Sequence, residues 1–152
     1  MPAEPAPPAG RCSPADDVEL SFPPRAEHLG RVRQAVTEVV AGGDVSDARL
    51  DDIRLAVSEA CANAVEATTR LGAHDVVVEV RCARLDDRLV VEVRDRAGGF
   101  DPDALVPHPP VQSPERLHHE RGLGIPLMRS LADEVTFETD DDGTTVRLTW
   151  VL

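Results

Sequence analysis

Glu59 and Asn63 stand four residues apart in a stretch of helical periodicity. At 3.6 residues per turn they lie one turn, roughly 6 Å, apart on the same helix face. They flank an apolar stripe of Ile53, Val57, Ala60, Cys61 and Ala64, beside Asp52, Glu66 and Arg70, with Asn63 nearer the buried edge. An amide oxygen there can ligate a hard cation, and a carboxylate one turn earlier can accept a proton or orient a nucleophile. Taken alone, such a pair reads first as a solvated polar face.

Asp95 is more pointed. It shares strand parity with Leu89, Val91 and Val93, which predicts an inward carboxylate at a strand's end. An inward carboxylate needs a donor: a ligand amino group, or the backbone N–H groups of a tight turn. Gly98-Gly99 follows and lets the backbone approach a ligand closely. Arg121-Gly122-Leu123-Gly124 opens a helix, where exposed N–H donors and the positive dipole end suit an anion. Arg121 adds a charge that can fork onto phosphate oxygens. Thr144, after Gly143 on the last turn, points inward by parity with Val146 and Leu148.

Other chemistries are excluded. All 16 basic residues are arginine, so there is no P-loop lysine, Schiff-base lysine or kinase strand lysine. His28, His74, His108, His118 and His119 lack zinc-type spacing, and no serine stands in a G-x-S-x-G elbow. With 28 acidic residues and a net charge of −12, direct nucleic-acid binding is not expected. Cys12, Cys61 and Cys82 show no C-x-x-C spacing and suit a reducing cytoplasm. No apolar run is long enough for a membrane span, and the N-terminus carries no basic and apolar leader pattern.

The elements that must position these residues follow from periodicity. Residues 1–16, with five prolines, predict a disordered tail, leaving one domain over 17–152. Val18–Phe22 alternates as a short edge strand stopped by Pro23-Pro24. Leu29, Val32, Val36, Val39 and Val40 predict a helix over 25–41, ended by Gly42-Gly43. A second helix, capped by Ser46 or Asp44, runs to about Arg70 and closes at Gly72. Strands from Val76 and from Leu89 form a hairpin around Asp86-Asp87. Residues 101–121, aperiodic and holding five prolines, predict a functional lid or a disordered segment. A helix over 122–132 and strands 134–139 and 144–151 complete the chain. The sum is an α+β two-layer sandwich, helices on one face of a mixed sheet.

The order of the boxes is specific: Glu59-x-x-x-Asn63, Asp95 with glycines, a lid, Arg121-Gly-Leu-Gly, then Gly143-Thr144. It resembles the Bergerat-fold ATPases shared by gyrase and sensor histidine kinases. Within them, Ser58-Glu59-Ala60-x-x-Asn63-Ala64 is similar to the bacterial anti-sigma-factor serine kinases. The resemblance implies ATP held between helices and sheet, with Asn63 ligating Mg2+ and Glu59 activating an acceptor serine. Asp95 would receive the adenine amino group, and Thr144 would lie near the adenine end. Gly99, Gly122, Leu123 and Gly124 would supply contacts near adenine and phosphates, and Arg121 would contact phosphate. One residue departs from the family's D-x-G-x-G pattern: in Asp95-Arg96-Ala97-Gly98-Gly99, Ala97 replaces the first glycine. If that position requires a positive φ, alanine costs about 1 kcal/mol or more there.

The function implied is a cytoplasmic kinase that sequesters a sigma factor and phosphorylates a serine of an anti-anti-sigma, STAS-type antagonist. No membrane partner is implied, and a homodimer is, since family members are often dimers. The alternative is a non-catalytic partner-switching module with little ATP turnover. A detached histidine-kinase catalytic domain is a third reading, disfavoured by the lack of a phosphoacceptor helix.

Overall fold

The computed structural model of the chain describes residues 17–41, 45–70, 72, 76–97 and 121–152, with side chains in the last segment from residue 125 onward. The expected tail, the lid up to residue 120, the glycines at 42–43 and 98–99, and the alternative cap Asp44 lie outside the described residues.

Alternation of polar and apolar residues builds β1 (Asp17–Phe22), and Pro23 ends it. A 3-10 turn (Ala26–His28) leads into α1 (Leu29–Val40), so the first helix starts later than its apolar spacing suggested. Next comes α2 (Asp47–Arg70). Its cap is Ser46, whose hydroxyl oxygen accepts the Arg49 N–H at 3.1 Å. Beyond its end Gly72 adopts φ +70°, the left-handed conformation that glycine reaches without steric cost.

The hairpin of β2 (Val78–Leu85) and β3 (Arg88–Asp95) closes on Asp86-Asp87, with Leu85 opposite Arg88. Val76 and Val77 fall outside the strand, because β1, its partner on that side, ends opposite Val78. The remaining elements are α3 (Arg121–Leu131), β4 (Glu134–Thr139) and β5 (Thr144–Val151).

The five strands lie in the order β1-β2-β3-β5-β4. The α+β sandwich is as expected, but every pairing is antiparallel, which corrects the mixed sheet. The reason lies in the last hairpin. Since β3 and β4 both pair antiparallel with β5, they run in the same direction. β5 inserts between them, so among the described residues no parallel neighbours remain.

One face of the sheet carries the core. Val32, Val36 and Val39 of α1, Ile53, Val57 and Cys61 of α2, and Met128 of α3 pack on Val80, Val91, Val93, Leu148 and Trp150. Each side chain of this size contributes about 1.5–3 kcal/mol by leaving water. The opposite face is a solvated charge lattice. Glu19, Arg81, Glu92 and Arg147 stand directly opposite one another across four strands, and Arg147 reaches Glu92 at 3.0 Å. The layer between the helices and the inner sheet face is therefore the deepest place among the described residues for a polar site.

Candidate active site

At the end of the β3–β5 ladder, Asp95 and Thr144 are register partners and both point inward, as their strand parity required. Asp95 is 8% exposed and Thr144 2% exposed. Burial is the largest influence on Asp95 and pushes its carboxyl above the usual carboxylate range. Hydrogen bonds from the backbone N–H groups of Ala97 and Thr144, and then the Arg94 charge, pull it part of the way back. The Ala97 N–H reaches Asp95 Oδ1 at 3.0 Å. So Asp95 does cap the turn, and it also keeps acceptor capacity, since an ionised carboxylate offers about four lone-pair positions.

The Thr144 hydroxyl is buried without a hydrogen-bond partner, and so is Asn63 Oδ1. Leaving such an atom unpaired costs about 1–3 kcal/mol, a cost a ligand can relieve. A third such atom, Thr136 Oγ1, lies on the other sheet face, because its neighbours Val135 and Phe137 pair with inward Leu148 and Val146. The two relevant orphans therefore sit on the helix-facing side.

The two flanks of α2 serve different partners. Arg54 donates to Thr37 Oγ1 at 3.1 Å, and Ser58 Oγ accepts from Arg33 at 3.4 Å, so this flank leans on α1. At 100° per residue, Glu59 and Asn63 lie on the other side of the buried stripe, where α2 meets α3. Both are half-buried. The expected pairing of a carboxylate and an amide on one flank is thus present, and the amide oxygen is free to ligate. A hard cation suits this oxygen donor, so Asn63 fits the magnesium role.

Arg121, Gly122 and Gly124 fall in the first turn of α3, which does begin at Arg121. The Arg121 and Leu123 side chains, and the whole of Gly99, lie outside what is described. Ala97 carries no strain: among the described residues no non-glycine takes a positive φ, so the missing first glycine costs nothing by that route.

The Cys61 thiol sits among the core side chains, and burial pushes it up to about 12, which rules it out as a nucleophile. What the sequence reading missed is the closeness of Gly143 to Asp95. A Cβ on Gly143 would fall on the Asp95 carbonyl oxygen and 2.7 Å from Arg96 Cα. The available signal was the turn itself, Asp140-x-x-Gly143, with aspartate first and glycine fourth.

The family model for a histidine kinase-like ATPase domain matches residues 22–150. This chain belongs to that family. Among curated relatives, the serine-protein kinase RsbW of Bacillus subtilis is 34% identical over 139 residues, covering 89% of this chain and 85% of the relative. RsbW of Bacillus licheniformis matches at the same identity and coverage. RsbW of Staphylococcus epidermidis is 31% identical over 127 residues, covering 82% of this chain and 80% of the relative. Among solved structures, the RsbU and RsbW domains of a Mycobacterium tuberculosis protein align with a TM-score of 0.64 at 21% identity. That alignment covers 90% of this chain and 32% of the other, and it establishes likeness of fold. The family is an ATPase domain, so ATP is the ligand it implies. Among the described residues no helix is long and apolar enough to cross a membrane.

Proposed function

We propose that this chain is an ATP- and magnesium-dependent serine kinase of the anti-sigma type. It would hold a sigma factor and phosphorylate a serine on a STAS-type antagonist in the cytoplasm, and act as a homodimer. The observation that carries the reading is the unpartnered Asn63 Oδ1 on the same side of the sheet as the buried Asp95–Thr144 pair. Polar groups of this kind in a helix–sheet interlayer are what an adenine nucleotide and its metal would satisfy.

The steps are assigned to this chain's own groups. Asp95 accepts the exocyclic amino group of adenine, and Thr144 offers its hydroxyl beside it. Backbone N–H groups at the start of α3, with Gly122 and Gly124 keeping side chains out of the way, face the phosphates, and Arg121 adds its charge. Gly99 and Leu123 complete the nucleotide contacts. Asn63 would hold magnesium, which when bound would neutralise phosphate charge. Glu59 accepts the proton of the acceptor serine as the serine oxygen bonds to the γ-phosphorus and the bond to the ADP oxygen breaks. Such a transfer relies on positioning and charge neutralisation more than on covalent help from the protein.

The test is single-turnover transfer from labelled ATP to a candidate antagonist, beside nucleotide titration of each variant. Glu59→Gln removes the base but not the nucleotide contacts, so transfer should fall roughly 10²-fold or more while ATP affinity holds. Asn63→Ala should weaken magnesium–nucleotide binding as well as rate. Wild-type transfer by Glu59→Gln would remove Glu59 from catalysis. A wild type that binds ATP and both partners yet never transfers phosphate would be the non-catalytic module.

A further inference from the structure

Behind the Asp95–Thr144 pair, on the solvated face of the same two strands, a second pair stands in register: Arg94 and Thr145. The Arg94 guanidinium donates to Thr145 Oγ1 at 2.9 Å and to both Asp140 carboxylate oxygens at 3.3 and 3.5 Å. Asp140 Oδ1 in turn accepts the N–H groups of Asp142 at 2.8 Å and Gly143 at 2.9 Å. The Asp140 N–H returns a bond to the Gly143 carbonyl at 2.9 Å. The outcome is a turn fixed by one carboxylate, with Gly143 held so close to the Asp95–Arg96 backbone that it has no room for a Cβ.

We propose that Asp140 is a positioning residue for nucleotide recognition: it sets the Gly143-Thr144 backbone against Asp95 and so fixes the adenine end of the site. The inference rests on the reading of Asp95 as the acceptor of the adenine amino group. Asp140 touches no substrate. It acts through Gly143, whose N–H it accepts and whose backbone it holds against the Asp95 carbonyl and the Arg96 Cα. If the turn relaxes, that packing on the Asp95–Arg96 backbone is lost, and the Asp95 carboxylate turns with its backbone.

Two parts of the device differ in weight. The Arg94–Asp140 ion pair is solvent-exposed on the Asp140 side, at 56%, so its charge is screened and contributes little. The paired backbone N–H bonds to one carboxylate oxygen fix direction as well as distance, and they carry the effect. The conservative variant separates the two: asparagine keeps an acceptor oxygen for both N–H groups and loses the charge.

The experiment is calorimetric titration of the full chain with ATP and with ITP, which has a carbonyl in place of the adenine amino group. Wild type should prefer ATP. Asp140→Ala should weaken ATP by ~3–10-fold, the range of one lost hydrogen bond, and leave ITP nearly unchanged, narrowing the preference. Asp140→Asn should restore most of the preference. Arg94→Gln, a second and milder disturbance of the same turn, should narrow it by less.

An unchanged ATP-to-ITP ratio in Asp140→Ala, with wild type discriminating, overturns the proposal and leaves the Asp95 reading intact. Equal weakening of both nucleotides with a lowered Tm shows a merely structural role and overturns it too. A wild type indifferent to ATP and ITP removes the Asp95 reading itself, and the proposal falls with it.

Discussion

The β3–β5 ladder ends in two opposite ways. At the Arg88–Val151 end a set of polar groups is paired within the chain. Asp133 accepts the Val151 N–H at 2.6 Å and the Arg49 guanidinium at 2.7 Å, while Arg49 also reaches the Val151 carbonyl at 3.0 Å. The Trp150 indole N–H caps the Leu131 carbonyl at 2.9 Å, and the Leu152 N–H bonds the Asp87 carbonyl at 2.8 Å. At the Asp95–Thr144 end a carboxylate is buried and a hydroxyl has no partner. The two carboxylates move in opposite directions. The Val151 N–H, followed by Arg49, holds Asp133 below the usual carboxylate range despite some burial, whereas burial lifts Asp95 above it. One end is finished as structure. The other holds polar atoms at a cost to stability, which is how binding sites differ from the scaffold around them.

The largest expected effect tests that cost directly. Asp95→Asn keeps an oxygen for the Ala97 N–H but removes the buried charge. ATP affinity should fall about 10- to 100-fold, the range for a hydrogen bond to a charged group. Without nucleotide, the same variant should melt higher than wild type. The sign follows from linkage. A carboxyl whose folded-state pKa is raised holds its proton more tightly when folded, so wild type loses stability as pH rises from the unfolded value through the raised one. The Tm advantage of Asp95→Asn should therefore be present at pH 7 and shrink towards pH 4. A variant that binds ATP as wild type does, or melts lower at pH 7, breaks the contrast between the two ends.

Gly143→Ala should be next in size. Its Cβ meets backbone atoms, which cannot rotate away as a side chain would, so the strands must shift. Overpacking of this kind costs about 1–3 kcal/mol, and here it should lower ATP affinity together with Tm. Gly30→Ala is the control. Gly30 is an exposed helical glycine whose nearest atom to an added Cβ is Arg33 Nη2 at 3.8 Å, so alanine should stabilise by about 0.5–1 kcal/mol. Thermal melts of both, with and without ATP, decide whether Gly143 is there for space or by default.

Much of this site was legible because strand parity and helix spacing are local. Counting by twos from Leu89 places Asp95 inside, and counting by fours from Glu59 places Asn63 beside it on one flank. Sheet direction was not legible. Periodicity says which side a residue faces and nothing about which strand inserts between which, so β5 between β3 and β4 came only with the structure. The Gly143–Asp95 contact was half hidden for a related reason: Asp140-x-x-Gly143 marks a turn, but no local pattern says that the turn meets residue 95. The fear over Ala97 came from applying a glycine rule to a position whose φ is negative, where alanine is at ease.

The smallest expected effect belongs to the finished end. Asp133→Ala removes an acceptor for one backbone N–H and one guanidinium, but its side chain is 41% exposed and that of Arg49 33%. Water can replace much of what is lost, so the cost should be about 1 kcal/mol, seen as a Tm lowered by a few degrees. Its pH signature should be opposite to that of Asp95. A carboxylate with a lowered folded-state pKa contributes stability above its unfolded value and loses it as pH falls through the lowered one. Wild type should thus lose its advantage over Asp133→Ala on acidification below about pH 4, since both are then without the ionised group. Nucleotide affinity should not move, because Asp133 lies at the far end of the ladder from Thr144. A drop in ATP affinity in Asp133→Ala, at a Tm only slightly lowered, would mean that the two ends are coupled through β5, and the division between scaffold and site would have to be redrawn.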